Sequence, residues 1–299
     1  MTSKTATPVR RWSRETVENN ILGVLKWVTI AAFVVVCGFP FYYMLLLSFR
    51  SIESLARDPG RLGIAFEELT AGPYREVLTS VEDGGQGFVT FLRNSGVIAV
   101  SAAAISLLLA VLGAYAVSRL RFTGRRTISA MFLAVYLFPA TLLAIPLFVF
   151  FSRLGLRGSL FGLMIVYASQ TVPVAIYMIK QYFDTVPVSL EESAALEGAN
   201  RLQILRKVIL PLALPSIMAT GLFVFMIAWN EFLFALLFLV DRRERWTVSL
   251  GISQLAGSIE VAPTVLLAGS VIVTIPIIIL FFATEKMLVG GLTAGAEKG

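Results

Sequence analysis

Long apolar runs, separated by shorter polar segments, dominate the chain. They cover residues 27–49, 88–117, 127–151, 160–179, 212–240 and 263–284. Each run has about 20 residues or more, enough for a helix across a hydrocarbon core of ~30 Å. The pattern predicts an all-α integral membrane protein with six transmembrane helices in one domain, residues 27–285. A polar N-terminal segment (1–26) precedes this domain and a tail (286–299) follows it.

The basic residues favour one orientation of these helices. With both termini in the cytoplasm, 15 of the 25 Lys and Arg residues lie inside, whereas 10 acidic residues lie outside and 8 inside. The connector 119–126 carries four arginines and no acid, but Arg242, Arg243 and Arg245 fall in an outside loop and weaken the bias. The positive-inside rule therefore favours a cytoplasmic N-terminal segment and a cytoplasmic tail.

The polar stretch between the fourth and fifth runs carries start signals for two short helices. Ser189 with Glu192 three residues later predicts a capping box, and Asn200 with Gln203 repeats the pattern. Gly198 predicts the end of the first helix, because glycine adopts the left-handed conformation without a Cβ penalty. We expect a helix, a glycine corner and a second helix on the cytoplasmic side. Helices this short are marginal alone in water, so docking should stabilise them.

Composition agrees with a membrane protein and narrows the function. Hydrophobic residues make up 57% of the chain and charged residues only 15%. There is no histidine, and Cys37 is the only cysteine, so we predict no metal site, no catalytic residue and no intrachain disulfide. The motifs GxxxxGK[ST], HExxH and GxSxG are absent. We therefore expect a protein that is not an enzyme and holds no cofactor, and any ATP and Mg²⁺ would be bound by another chain.

Polar residues inside the apolar runs are the candidates for a translocation pathway. Asn230 and Glu231 fall near the middle of the fifth run, where a carboxylate is costly unless it is paired or faces a wet cavity. Gln170 and Thr171 precede Pro173 in the fourth run, and a proline frees backbone carbonyls that can line a cavity. For both pairs, hydrogen bonds between neighbouring helices are the alternative interpretation.

Residues 189–211 resemble the EAA loop of binding-protein-dependent ABC importer permeases. That pattern is E-A-A, three residues, G, nine residues, I, any residue, L-P. Here it falls on Glu192, Ser193, Ala194, Gly198, Val208, Leu210 and Pro211. Ser193 replaces an alanine and Val208 an isoleucine, while the spacing is intact. The segments AWNEFLFAL (228–236) and VGGLTAGAEKG (289–299) are similar to maltose-type (MalG-type) permeases of carbohydrate uptake.

The resemblance implies a type I ABC importer fold in a bacterial or archaeal inner membrane, surrounded by lipid. It implies pairing with a second homologous permease and with two cytoplasmic ATPase subunits. It also implies a sugar substrate, a di- or oligosaccharide, delivered by an extracytoplasmic binding protein. The ATPase-coupling residues would be Glu191, Glu192, Ser193, Ala194, Ala195, Gly198, Leu210 and Pro211. The tail residues that contact the ATPase would be Gly291, Leu292, Thr293, Gly295 and Lys298. The outer loop 241–262 would approach the binding protein.

Alternative functions would require residues that this sequence largely lacks. An ion-coupled secondary transporter places carboxylates in broken membrane helices, and only Glu231 fits that description. An enzyme acting on lipid-linked sugars needs a cluster of acids, histidines or metal ligands, and we find none by sequence. A permease for substrates of the glycerol-phosphate type remains an alternative within the same family. We attribute the net charge of +6 to loop asymmetry and expect no binding of nucleic acid.

Overall fold

The computed structural model describes residues 14–63 and 66–296, and side chains within 18–63 and 66–285. These ranges are helical and contain no strand; one isolated bridge joins Arg50 to Leu69. The α-helices in this part of the chain are α1 (Arg14–Ser48), α2 (Ile52–Arg57), α3 (Gly72–Leu78), α4 (Phe88–Arg119), α5 (Arg125–Leu137), α6 (Ala144–Arg153), α7 (Leu160–Thr185), α8 (Val188–Leu196), α9 (Arg201–Ile204), α10 (Leu210–Asn230), α11 (Leu233–Leu239), α12 (Val248–Ala256) and α13 (Pro263–Ala296).

Five of these helical stretches are long and apolar enough to cross a membrane. They are α1, α4, α7, α10 with the turns before it, and α13. The pair α5 and α6 forms a sixth if it is one span, and it is bent by 84°. The structure thus confirms the prediction of an all-α membrane protein with up to six spans.

The third span is not the continuous helix predicted for 127–151. α5 ends at Leu137, and the backbone is extended at Phe138 and Pro139 before a 3₁₀ turn leads into α6. A proline disfavours helical geometry in the residue before it and donates no N–H. Pro139 therefore breaks the span, whereas Pro146 lies in the first turn of α6 and is tolerated there.

The fifth apolar run, predicted as one helix over 212–240, is broken at Glu231. α10 ends at Asn230, the backbone of Glu231 is extended, and α11 begins two residues later. The Glu231 carboxylate accepts hydrogen bonds from the N–H groups of Phe234 (2.9 Å) and Ala235 (3.2 Å). The prediction that Asn230 and Glu231 lie near mid-helix is therefore wrong, because Glu231 caps the start of α11.

Other boundaries lie beyond the apolar runs. α1 begins at Arg14, α7 continues to Thr185, and α13 continues to Ala296, so most of the predicted tail is helical. The outer loop 241–262, predicted as polar, contains α12, which buries Val248, Leu250, Gly251 and Leu255. Apolar residues at helical spacing in VSLGISQLA form this buried face, and Thr247 caps the helix by accepting the N–H of Leu250.

The bundle is centred on α4 and α7, which pack closely along most of their length. Small residues permit this approach, since a Cβ added to Gly113 would come within 3.0 Å of Cδ1 of Ile176. Toward the end that carries α8, a buried cluster that we call the α8-side core joins α4, α7, α10 and the segment between α9 and α10. Its members include Ala110, Ala114, Ile176, Ile179, Phe183, Ile204, Leu205, Ile209 and Ala213.

Candidate functional site

The segment between α7 and α10 starts differently from the predicted capping box. α8 begins at Val188 directly after Pro187, which occupies the cap position without a side-chain hydrogen bond. Ser189 lies inside the first turn, so the prediction that Ser189 and Glu192 form a capping box is wrong. Pro187 starts the helix because its ring fixes φ and its missing N–H costs nothing at that place.

The corner after α8 matches the prediction. Gly198 has a φ of +89°, and the amides of Gly198 and Ala199 donate to the carbonyls of Ala195 and Ala194, both at 3.0 Å. This is the pairing of a Schellman motif, which needs a left-handed residue at the position of Gly198. The polypeptide thereby turns sharply between α8 and α9.

The second start signal is also confirmed. The amide of Gln203 donates to Oδ1 of Asn200 at 2.9 Å, and the amide of Asn200 donates to Oε1 of Gln203 at 2.8 Å. The helix that follows is not short, however. α9 passes through a π-helical turn, Leu205–Ile209, directly into α10. The expected second short helix is instead the first turn of a membrane span, so the Gly198 corner is joined to α10 by continuous helix.

A buried ion pair fixes α8 to the bundle. The carboxylate of Glu191 pairs with the guanidinium of Arg119, the last residue of α4, and these side chains are 11% and 10% exposed. Nη2 of Arg119 also donates to the carbonyls of Phe183 and Val186 at the end of α7, both at 2.8 Å. One guanidinium thus joins α8 to the ends of α4 and α7. The Glu191 carboxylate is therefore engaged within this chain, and its predicted role in ATPase coupling stays a prediction.

The outward side of α8 combines apolar side chains with an unpaired acid. Val188, Glu192 and Leu196 recur at four-residue spacing and share one side of the helix. Leu196 is 91% exposed, and Leu202 of α9 is 69% exposed. Among the described residues Glu192 has no hydrogen-bond or ion-pair partner. We call Val188, Glu192, Ser193, Leu196 and Leu202 the docking face, since three of its members are large apolar side chains left exposed, and exposed apolar surface can mark an interaction site.

The remaining predicted coupling residues divide between this surface and the core. Ser193, Ala195 and Pro211 are exposed. Ala194 and Leu210 are half-buried and pack against the α8-side core. The predicted segment therefore has one side that packs against the rest of this chain and another side that is exposed.

The predicted pathway residues lie around the contact between α7 and the break after α10. Oε2 of Glu231 accepts a hydrogen bond from the Tyr167 hydroxyl at 2.5 Å, one turn before Gln170 and Thr171 on α7. Asn230 is exposed, and its Nδ2 donates to the carbonyl of Met226 in its own helix at 2.9 Å. All four residues thus belong to one region of the bundle.

Within that region the four side chains differ in availability. Thr171 is buried, and its hydroxyl lies 2.8 Å from that of Ser106 on α4, which ties two helices together. Gln170 is half-buried, and its Nε2 is enclosed without a hydrogen-bond partner. The carboxylate oxygens of Glu231 already accept hydrogen bonds from backbone amides of α11 and from the Tyr167 hydroxyl. Asn230 is therefore the most accessible of the four side chains, whereas the unused donor of Gln170 is enclosed.

Replacement of Glu231 tests whether its carboxylate is a cap or a ligand. Glu231→Ala removes an acceptor from two amides and the Tyr167 hydroxyl, and loss of a cap costs ~1–2 kcal/mol. Glu231→Gln keeps one acceptor and should cost less than half of that. Thermal unfolding of the purified chain checks both values. Near-normal stability of Glu231→Ala would contradict the capping role.

Sequence reasoning missed three residues that organise these sites. Arg119 and Tyr167 hold Glu191 and Glu231, and Asn94 donates from α4 to the carbonyls of Glu244 and Trp246 at 3.1 and 3.0 Å. Each contact joins segments far apart in sequence. The only available signal for Arg119 was its place at the start of the acid-free basic connector. Asn94 is a polar residue near the start of the second apolar run, which suggests a place at the membrane interface but not its partners. For Tyr167 the sequence offered no signal.

The predicted tail contacts are located only in part. Gly291, Leu292, Thr293 and Gly295 lie in the last turns of α13, and nothing further is described of their side chains. Lys298 lies outside the described residues.

Comparison with known proteins decides the family. Residues 106–289, from the middle of α4 into α13, match the family of inner-membrane components of binding-protein-dependent transport systems. The chain belongs to this family. It is therefore a multi-pass membrane component of an importer and not an enzyme, and such components work with a binding protein and an ATPase.

Individual permeases of this family match nearly the whole chain. The trehalose/maltose transport system permease MalG of Thermococcus litoralis is 38% identical over 96% of this chain and 99% of its own length. The inner-membrane ABC transporter permease YcjP of Escherichia coli is 36% identical over 90% of this chain and 94% of its own. A chain in the crystal structure of a bacterial ABC transporter that imports the acidic polysaccharide alginate superposes with a TM-score of 0.76 at 26% identity, covering 94% of this chain and 99% of that one.

Proposed function

We propose that this permease carries a di- or oligosaccharide, received from an extracytoplasmic binding protein, through a pathway that it forms with a second, homologous permease. ATP and Mg²⁺ are bound by two ATPase subunits in the cytoplasm. The observation that carries the coupling part of the proposal is the docking face, an exposed apolar and acidic surface on a helix whose opposite side is anchored by Arg119. The sugar class is supported by the relatives named for trehalose/maltose and alginate.

The docking face receives the ATPase in this proposal. Glu192 lies between Val188 and Leu196, so an arginine of the partner can pair with it while apolar side chains cover the surrounding surface. The α8 end of the bundle is then cytoplasmic, in agreement with the positive-inside rule. The proposed tail contacts with the ATPase are Gly291, Leu292, Thr293 and Gly295 in the last turns of α13 and Lys298 after them.

Transport follows from movement of α8 as a lever. ATP binds more tightly to the closed ATPase pair, and this difference in affinity supplies the bias between inward-open and outward-open states. The ion pair between Glu191 and Arg119 passes the displacement to α4 and α7, and the continuous helix after the Gly198 corner passes it to α10. The break at Glu231 lies on that same helix, at the far end from the corner.

The sugar pathway in this chain is proposed to pass the α7–α10 contact. Asn230 offers an exposed amide group suited to sugar hydroxyls, and Gln170 offers a second one once its enclosed Nε2 is uncovered. Glu231 and Thr171 hold the surrounding helices in place. A carboxylate that caps a helix is poorly placed to carry an ion across the membrane, which argues against ion-coupled transport. On the opposite end, α12 and the turn before it form the surface for the binding protein.

Reconstitution tests this function directly. The complex of both permeases and the ATPase in lipid vesicles should hydrolyse ATP faster when the binding protein and its sugar are both present. Maltose, trehalose, longer oligosaccharides and a glycerol phosphodiester, each with its cognate binding protein, separate the substrate classes. Stimulation by the glycerol phosphodiester alone would contradict the sugar assignment, and uptake without ATP would contradict ATP-driven transport.

Charge reversal at Glu192 tests the docking face. Glu192→Lys should weaken co-purification of the ATPase at least tenfold, because losing one partner of an interfacial charge pair costs ~2–5 kcal/mol. Glu197→Lys is the matched control, since Glu197 is exposed in the same loop but lies past the end of α8. Equal loss in both variants would show a general effect of charge, and unchanged co-purification of Glu192→Lys would contradict a docked glutamate.

A further inference from the structure

A basic cleft at the α8 end of the bundle has no place in the function described so far. It has a volume of about 280 Å³ and lies between the start of α5 and the end of α7. Arg125, Arg126 and Ser129 line it from α5 and Lys180 lines it from α7, with Val117 of α4 at its base. No acidic residue lines this cleft. A second depression of about 430 Å³ on the other side of Arg125 and Arg126 adds Arg121.

Two of the basic side chains of the cleft are held in place by contacts within this chain. Nη2 of Arg125 donates to the carbonyl of Ser118 at 2.7 Å and its Nε donates to that of Val117, so the side chain is fixed against the end of α4. Lys180 is held by Asp184 at 2.6 Å, one turn along α7. Arg126 is exposed and has no partner among the described residues. An unpaired guanidinium thus lies beside two immobilised cations, with one carboxylate nearby.

The surroundings favour a lipid over a soluble anion. The cations lie near the start of α5 and near the end of α7, and α7 is one of the helices long and apolar enough to cross a membrane. Further along α5 the exposed residues are apolar, including Ile128, Met131 and Val135, and no residue of α5 is buried. A phosphate held by Arg126 would therefore have a path for its acyl chains along α5. Basic pockets between membrane helices are suited to anionic headgroups.

We propose that the cleft between α5 and α7 binds the phosphate headgroup of an anionic phospholipid. Arg126 pairs with the phosphate, Arg125 and Lys180 supply further positive charge, and the Ser129 hydroxyl is available to donate a hydrogen bond. None of these residues belongs to the docking face, so lipid binding can be measured on this chain without the ATPase.

Lipid retention by the full chain tests this site. The chain purified in detergent is mixed with phosphatidylglycerol or phosphatidylcholine of the same acyl chains, and retained lipids are counted by native mass spectrometry. The wild-type chain should prefer phosphatidylglycerol, and Arg126→Gln should lower that preference about fivefold, the effect of one cation near a headgroup. Arg126→Lys should keep most of the preference, since it keeps the charge.

Arg153→Gln is the matched control, because Arg153 is an exposed arginine at the end of α6, away from the cleft. Loss of preference in Arg126→Gln but not in Arg153→Gln would support the site. Equal loss in both, or none in Arg126→Gln, would overturn it. Displacement of the lipid by millimolar inorganic phosphate would show a site for free phosphate and would overturn the assignment to a lipid.

Discussion

Replacing Arg119 with alanine is expected to destabilise the chain by ~3 kcal/mol or more, because breaking a buried pair leaves the other charge uncompensated. The carboxylate of Glu191 would remain 11% exposed with no cation beside it, and the carbonyls of Phe183 and Val186 would lose their donor. In the assembled transporter α8 would also lose its link to α4 and α7. ATPase stimulation by the loaded binding protein should therefore fall along with stability.

The neighbouring arginine provides the control for this substitution. Arg121→Ala removes the same charge two residues away, where the side chain is exposed and has no partner among the described residues. It should change the free energy of unfolding by less than ~0.5 kcal/mol, as surface substitutions usually do. Similar losses in Arg119→Ala and Arg121→Ala would contradict a structural role for the buried pair.

A double-mutant cycle separates the ion pair from the two carbonyl contacts. Glu191→Ala with Arg119→Ala should cost clearly less than the sum of the single changes, with a coupling energy of ~1–3 kcal/mol. Arg119→Lys keeps the charge but loses the forked donor that reaches two helices at once, so it should restore stability only in part. Additive effects would show that Arg119 acts on α7 alone and that α8 is held by other contacts.

The spans were predictable because the length and hydropathy of an apolar run are enough to identify a membrane helix. Where each span breaks was harder to predict, although the cause is local. Pro139 breaks the third span but Pro146 does not, and the difference lies in their positions relative to the first turn of α6. At Glu231 the break depends on a carboxylate that caps α11 and on Tyr167 from another helix. Hydropathy alone does not detect this break, because apolar residues flank Asn230 and Glu231 on both sides.

The coupling segment shows the same division between local and distant causes. Gly198 and the pair Asn200 and Gln203 form as predicted because their hydrogen bonds close within six residues. The anchoring of Glu191 was missed because its partner, Arg119, lies 72 residues away. The EAA pattern falls on Glu192, but nothing in the sequence shows that Glu191 is buried while Glu192 is exposed. Only the packing of α8 against the bundle buries the first acid and leaves the second exposed.

Replacing Gly198 with valine is expected to uncouple the ATPase from transport while leaving the membrane helices folded. A Cβ at this position meets no atom within 4 Å, so the cost is purely conformational. A β-branched residue at a φ of +89° is strained by ~1–3 kcal/mol, enough to shift the corner about tenfold or more toward other geometries. ATPase activity stimulated by the loaded binding protein measures the effect. Gly198→Asn should retain most of the stimulation, since asparagine tolerates the left-handed region.

Gly155 offers a matched control for the strain itself. Its φ is +73°, its added Cβ also meets nothing within 4 Å, and it lies in the turn between α6 and α7, away from α8. Gly155→Val should therefore lower stability by a similar amount and leave the stimulated ATPase activity intact. If both valine variants lose stimulation equally, the loss at Gly198 reflects stability and not the direction of α8. If neither does, the corner does not set the coupling geometry, and Arg119 with Glu191 must hold α8 in place without it.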